Sequence, residues 1–493
     1  MPASRFHSLY SPWLFPLACI CLLAFLPAGC SEGEHNTPLR PNILFILSDQ
    51  QHYQAWGGED ASFKTPSLDR LARESRRFSH AFVTAPQCSP SRASIYTGLY
   101  PHKTGIPGNT GSTLADGSRI TGLKRGIRTA GSYFRKAGYF TGYIGKWHLG
   151  PVGDHRQDYD FAAFDTIRGG DATTDEEKTR KALEFLAQRP NNRPFALFLN
   201  YREPHNIYDY GWKHPPEPLP ELAAGMSLPD SYYREDPSTK PRAQTQYMET
   251  GPVQRFLHAD EIIWKSYRGY YRQRVAHFDR QLNRILAALK EHKLNESTIV
   301  LVTSDHGDMD ARHRLVYKGP FMYEQLVRVP LIVRVPQAFG GQPAGIDHDL
   351  TVNVDLLPTM LEFAGLRVNG LDGSSLVPRL TGKAHDTADF VISQYQNKQK
   401  WNHPMRMIRT PGFKYVDHLE GMDELYDLRN DPEELVNLAL DASSADIMHR
   451  LGDHLEQWLK QHQDPFHQLS ATDPEGRPVA PRKVSQARGY RDR

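Results

Sequence analysis

Two apolar runs far apart in the chain end in groups that could hold a metal. "NILFILSDQ" closes on Asp49 and Gln50, and "STIVLVTSDHGD" carries Asp305 and His306 just past its apolar part. Carboxylate and amide oxygens suit a hard divalent cation, and the imidazole of His306 adds a nitrogen that also suits a transition metal. Arg92, Lys146, His148, His205 and Lys318 offer the complementary chemistry. Guanidinium and ammonium groups bind tetrahedral oxyanions, and histidines transfer protons near neutral pH. Taken singly, each of these residues is as well explained by an ion pair, a helix cap or a solvated surface.

Cys88, in "TAPQCSPSRASIYTG", gives the set a focus. Cys19 and Cys21 lie in an N-terminal apolar run and Cys30 ends it, so removal of that run leaves Cys88 the only cysteine of the body. It then has no intramolecular disulfide partner unless Cys30 stays free. A lone thiol in an oxidising compartment must be buried or chemically used, and the Gln, Ser, Pro and Arg around Cys88 make a poor core setting. A reserved cysteine, a cation site and several bases together point to transfer of a sulfuryl or phosphoryl group. The cation and the bases would stabilise the non-bridging oxygens.

These groups need elements to position them. "NILFILSDQ", "YFTGYIGKWHLG", "PFALFLNY", "STIVLVTSDHGD" and "VPLIVRVP" read as buried strands. Helices are expected over 65–75, over "SPSRASIYTG" up to Gly98, over 127–137, in "TTDEEKTRKALEFLAQ", over 261–291 and in "DLLPTMLEFAG". Alternation of the two predicts an α/β fold, a large and mainly parallel sheet with helices on both faces. Ligands of such sheets gather at the carboxyl ends of strands. Asp49, Lys146–His148, Arg202–His205 and Asp305–His306 all fall there. From about residue 388 short strands, "DFVISQY", "MRMIRT", "FKYVDH" and "DELYDL", precede a helix over 443–461. This predicts a smaller C-terminal subdomain, an antiparallel sheet covered by a helix. The expected organisation is a leader over 1–30, a linker over 31–40, a catalytic domain over 41–387, the subdomain over 388–465 and a loose or draped tail over 466–493.

At 493 residues, with 24% charged residues and a formal net charge of +2, the chain reads as globular and shows no concentrated basic face for nucleic acid. Arg5 and His7 precede the apolar run from Trp13 to Leu26, which is short for a membrane span and interrupted by Pro16. Export to the periplasm or cell envelope is the expectation. "PAGC" resembles a lipoprotein cleavage box, which would leave Cys30 lipidated and the protein attached to a membrane; that box has an aliphatic residue where Pro27 stands. An ordinary cleaved signal and an uncleaved anchor are the alternatives.

"CSPSR" followed by "ASIYTGLYPHKTG" resembles the signature of the type I, formylglycine-dependent sulfatases, members of the alkaline-phosphatase-like superfamily. "NILFILSDQ", "GYIGKWHLG", "REPHN", "TSDHGDMDARHRLVYK" and "ELYDLRNDPEELVNL" are similar to further segments of that family, in the same order. The resemblance implies that Cys88 becomes formylglycine through a formylglycine-generating or anaerobic sulfatase-maturing enzyme, with Pro90 and Ser91 serving that recognition. Its hydrated aldehyde would attack sulfur with one hydroxyl and expel sulfate with the other. By the same resemblance Asp49, Gln50, Asp305, His306 and the modified Cys88 bind a divalent cation, calcium first and manganese or zinc as alternatives. Arg92 would hold the gem-diol, His148 assist proton transfer, Lys146 and Lys318 bind sulfate oxygens, and His205 protonate the leaving oxygen. "ARHR" departs from the family's usual Gly-Glu-His-Gly, which leaves His313 without an assigned role.

Asp49–Gln50 and Asp305–His306 replace the Asp-Asp and Asp-Asn of many sulfatases and resemble a branch that also holds choline sulfatases and phosphonate monoester hydrolases. The first reading is therefore an exported sulfatase acting on a sulfated polysaccharide or oligosaccharide. The second is a formylglycine-dependent phosphonate monoester or phosphodiester hydrolase. The third is a catalytically silent carbohydrate-binding or scaffold protein, opposed by intact residues at each motif. Specificity is expected from the long segment 202–260 and from a loop at "QYQNKQKWNHP", whose aromatic and basic side chains suit sugars and their acidic groups; packing the domains together is their other use.

Overall fold

An unbroken apolar strand sets the centre of the molecule. The computed structural model describes residues 40–151, 163–165 and 174–479. The expected leader with its Cys30, most of the linker and the tail from 480 lie outside the described residues. In chain order the strands are β1 (Asn42–Asp49), β2 (Arg76–Phe78), β3 (Ala81–Phe82), β4 (Phe140–Gly145), β5 (Ala163–Asp165), β6 (Phe195–Pro204) and β7 (Thr298–Ser304). They continue with β8 (Leu331–Arg334), β9 (Gly345–Asp347), β10 (Thr351–Val352), β11 (Val391–Lys398), β12 (Trp401–Arg409), β13 (Phe413–His418) and β14 (Glu424–Asp427).

Ile43 through Leu47 of β1 are all fully buried. Successive side chains of a strand face opposite ways, so Ile43, Phe45 and Leu47 enter one core and Leu44 and Ile46 another. The first core takes in α2 (Cys88–Thr97), α3 (Ala130–Lys136) and α6 (Leu356–Phe363). The second takes in α1 (Pro66–Arg73), α4 (Asp175–Gln188) and the far half of α5 (Glu261–Glu291). Thr174 caps α4 by accepting from the Glu177 amide at 3.2 Å, and acids fill its first turn, as the helix dipole favours.

The main sheet runs β5-β4-β6-β1-β7-β8-β2-β9. Strands β5, β4, β6, β1 and β7 are mutually parallel, as expected. β8 is antiparallel to both β7 and β2. The link from β7 to β8 carries only one-turn helices and stays at the edge where β7 ends, so the chain has no crossover to start β8 from the other edge. Four neighbouring strands thus present Lys146, His205, Asp49 and Asp305 along one carboxyl edge.

The expected strand through "GKWHLG" stops at Gly145, whose φ of 104° opens the left-handed region; a Cβ there would lie 2.0 Å from the Asn200 carbonyl oxygen. Lys146 and His148 therefore stand beyond the strand end. The segment expected to be irregular, 202–260, begins as strand and then folds into short helical turns. Its Tyr210, Tyr232, Tyr247 and Phe256 are buried with Trp264, Tyr267 and Tyr271 of α5 in an aromatic core. Those aromatics pack the wall, and fewer are left to meet a ligand.

The C-terminal sheet has the order β11-β12-β13-β14, antiparallel throughout, with α7 (Ala445–His462) laying Leu451, Leu455, Trp458 and Leu459 against it. "QYQNKQKWNHP" is the β11–β12 hairpin rather than a loop, turned at Gln399 with φ 57°. The described part of the tail drapes over that hairpin: Phe466 is fully buried and Thr472 donates its amide to the Asn402 carbonyl at 2.8 Å.

Lys414 of β13 ties this sheet to the catalytic one. Its buried Nζ lies 2.7 Å from Glu434 and 2.9 Å from Glu324, and Arg409 donates to Glu324 at 3.2 Å. Removing one member of such a buried set leaves the others uncompensated. Lys414→Met is expected to cost about 3 kcal/mol or more, read as a lowered urea midpoint; an unchanged midpoint would contradict this view of the contact.

Candidate active site

α2 brings Cys88 to the strand ends. Pro90 falls in its first turn, where the missing N–H is no loss, and Gly98 ends it in the left-handed conformation with φ 68°. All ten residues from Cys88 to Thr97 are buried. Ser91 fastens the helix to the end of β7 by donating to the Asp305 carbonyl, and accepts from Asn353 at 2.8 Å. Arg92 follows Cys88 by four positions and so shares its face.

The fully buried Arg92 is the clamp of the site. It donates from Nε to Asp305 at 2.8 Å, from Nη2 to Asp49 at 3.0 Å, and from Nη1 to the Lys146 carbonyl at 2.8 Å and Asn200 Oδ1 at 3.1 Å. Four of the five guanidinium N–H groups are thereby committed to scaffold. This positions the two acids and leaves one N–H for anything else.

Around it Asp49, Cys88, Asp305 and His306 bring one donor atom each to within 4.8 Å of one another. Cys88 Sγ lies 3.2 Å from His306 Nε2 and 3.6 Å from Asp49 Oδ1. His306 Nδ1 faces the Gly307 carbonyl at 2.8 Å, which fixes the proton there and leaves the Nε2 lone pair toward the cluster. Gln50, at a left-handed φ of 76°, donates from Nε2 to Asp308 at 2.7 Å, so its Oε1 turns inward to meet Lys318 at 2.8 Å. The donor set of two carboxylates, an amide oxygen and an imidazole nitrogen fits a divalent cation.

Two lysines complete the pocket. Lys318 Nζ lies 3.0 Å from Cys88 Sγ and 2.9 Å from His306 Nε2, and Lys146 Nζ lies 2.5 Å from Asp49 and 3.4 Å from Cys88 Sγ. Burial and the Cys88 charge push the Asp49 carboxyl up, but Lys146, His205 and Arg92 outweigh them and hold it well below the usual range. Asp305 moves the other way, raised by burial and by the charge of Asp49 against the pull of His306 and Arg92. Burial pushes the Cys88 thiol up, yet Lys146, Lys318 and His306 bring it well below its ordinary value. Burial and the two lysines push His205 down to about 4, so its imidazole is neutral in the free site at pH 7. His148, at φ 57°, and His205 both keep a buried Nδ1 without a hydrogen-bond partner among the described residues.

A cleft of about 650 Å³ opens over this cluster, lined by Cys88, His148, His205 and Lys318 together with Trp212 and Lys398. All the site residues expected from sequence thus meet at one place. His313 does not join them: it pairs with Glu235 at 2.8 Å and stacks on Tyr323 at 3.8 Å within the wall. Asn200 and Asp308 escaped the sequence reading as site residues. An asparagine inside the apolar strand "FALFLNY" was the available signal for the first, and its place two residues after His306 for the second.

The comparisons with known proteins agree with this geometry. The family model described as Sulfatase matches residues 41–366, and that described as N-sulphoglucosamine sulphohydrolase, C-terminal, matches 312–461. The chain is 30% identical over 470 residues to the Delta 4,5-hexuronate-2-O-sulfatase of Bacteroides thetaiotaomicron, covering 90% of this chain and 94% of the relative. A solved structure of a 2-O GAG sulfatase superposes with a TM-score of 0.76 at 28% identity, covering 90% of this chain and 97% of that one. The phosphonate monoester hydrolase of Agrobacterium radiobacter shares the fold, with a TM-score of 0.69 at 23% identity over 90% of this chain and 100% of that one.

Among the described residues, Asp308 reaches the cluster by its hydrogen bond from Gln50. Asp308→Ala frees that amide to turn its nitrogen inward and is expected to weaken the affinity of the cluster for an added divalent cation by about 10- to 100-fold, measured by titration calorimetry on the folded protein with calcium and with manganese; unchanged affinity would show that Gln50 needs no such support.

Proposed function

This chain belongs to the sulfatase family and is a sulfuric ester hydrolase, and from that premise we propose that it removes sulfate esters from a sulfated polysaccharide or oligosaccharide. The observation that carries the reading is the meeting of Cys88 with Asp49, Asp305 and His306 in a buried cluster flanked by Lys146 and Lys318. Similarity to a hexuronate sulfatase and to a GAG sulfatase supports a glycan substrate. The N-terminal apolar run supports export to the periplasm or envelope, with Cys30 as a lipid anchor, which suits a large external substrate.

Asp49, Gln50, Asp305 and His306, with position 88, hold a divalent cation in this reading. The oxygen donors favour calcium, and the imidazole admits manganese or zinc. When bound, the cation supplies positive charge to the oxygens of the tetrahedral group. Conversion of Cys88 to formylglycine by a maturation enzyme, and its hydration, supplies the attacking hydroxyl. Lys146 and Lys318 hold the sulfate oxygens beside position 88. His148 accepts a proton at its free imidazole nitrogen. His205 donates one to the leaving oxygen: two lysines keep its ring neutral in the empty site, and an arriving sulfate offsets their charge and favours the imidazolium. Arg92 holds Asp49 and Asp305 at their spacing throughout.

The same donors would also accept a phosphonate monoester, and a hydrolase of that class shares the fold. Assaying the matured protein on a matched aryl sulfate and aryl phosphonate separates the two readings. A kcat/KM favouring the sulfate is the expected outcome, and one favouring the phosphonate overturns the proposal. General-acid catalysis by His205 has its own signature. His205→Ala should lower kcat on a sugar sulfate by about 100-fold or more while sparing an aryl sulfate whose leaving group needs no proton. Equal losses on both would remove His205 from that role.

A further inference from the structure

Lys398, from the tip of the β11–β12 hairpin, brings its amino group to the cleft with no carboxylate partner among the described residues. Its Nζ donates to the Lys318 carbonyl at 3.2 Å and lies 4.1 Å from the ring centre of Tyr247 and 5.5 Å from that of Trp212. Those partners among the described residues are a carbonyl and two aromatic faces, with no carboxylate among them. Among the other lysines lining the cleft, Lys213 pairs with Asp209 at 2.5 Å, Lys318 is spent on Cys88, Gln50 and His306, and Lys400 stands exposed at the hairpin turn, while Lys146 behind them has Asp49. Aromatic faces stabilise a desolvated cation without neutralising it. Burial, and then the charge of Lys318, pushes Lys398 down to about 7.

The hairpin that carries Lys398 is held rigidly. Gln87, the neighbour of Cys88, donates to the Asn397 carbonyl at 2.7 Å, the Thr113 amide donates to the Gln399 carbonyl at 2.9 Å, and Asn397 returns a bond to the Thr113 carbonyl at 3.1 Å. A preorganised cation of this kind, opening on the same cleft as Cys88, loses little freedom when a ligand anion arrives.

We propose that Lys398 forms a second anion subsite, so that the substrate is a sulfated sugar carrying a further acidic group, a carboxylate or a second sulfate, close to the sulfate that is cleaved. The inference rests on the sulfatase reading above.

The test uses the matured full chain and sugar sulfates matched in their scissile ester. One is otherwise neutral, one bears an added carboxylate, and one bears an added sulfate. Wild type should favour at least one doubly acidic sugar by about tenfold or more in kcat/KM, and which one it favours identifies the second group. Lys398→Met should bring that ratio close to one, and Lys398→Arg should restore it. A wild type with no preference overturns the subsite, whatever the variants do. A Lys398→Met that slows all three sugars alike, keeping the ratio, also overturns it and leaves Lys398 a structural residue. Failure to cleave any sulfate ester, with turnover of an aryl phosphonate, overturns the sulfatase reading itself and the subsite with it.

Discussion

Arg92 buried between Asp49 and Asp305 is the contact on which the rest of the molecule depends. Two carboxylates a few ångströms apart at adjacent strand ends repel, and burial multiplies the cost. A single guanidinium reaching both, with its remaining bonds on the Lys146 carbonyl and Asn200, joins β1, β7, β4 and β6 in one polar knot. The knot requires α2 to start where it does, because Arg92 and Cys88 share a helix face. The reactive position is thereby located by the same residue that keeps the acids apart. A divalent cation held by the cluster would complete the neutralisation that Arg92 begins.

The two cores explain how this knot is held. Alternation along β1, β6 and β7 splits their apolar residues between the helices of one face and those of the other, so neither face of the sheet can shift alone. A third, aromatic core lies under the segment 205–256 and ties it to the first half of α5. That segment supplies Tyr208 and Trp212 to the cleft, while the C-terminal sheet supplies Lys398. The strand ends thus supply the floor of the cleft, and the segment 205–256 and the hairpin supply part of its walls.

Much of this was legible in the sequence, for physical reasons. Buried parallel strands are apolar on both faces, so "NILFILSDQ" and "STIVLVTSDHGD" announced both the strands and the polar groups at their ends. The Pro and Gly around "CSPSRASIYTG" announced α2. What stayed hidden depended on the third dimension. The left-handed Gly145 ends β4 early because the Asn200 carbonyl lies against it, a contact no local pattern encodes. The tyrosines of 202–260 looked free to meet a ligand, and three of the five, Tyr210, Tyr232 and Tyr247, are core. The hairpin at "QYQNKQKWNHP" read as loop because Asn397 and Gln399 pair with Thr113 and Gln87 instead of with solvent.

What makes the site a hydrolase, on the function proposed above, is conversion of Cys88 into the nucleophile of a cation-assisted sulfate hydrolysis. The mass of the peptide 78–92, taken from active protein purified from its native host, tests it most directly. The mass loss of a thiol replaced by an aldehyde at position 88 is the expected result. An intact thiol in protein that still cleaves sulfate esters would contradict it.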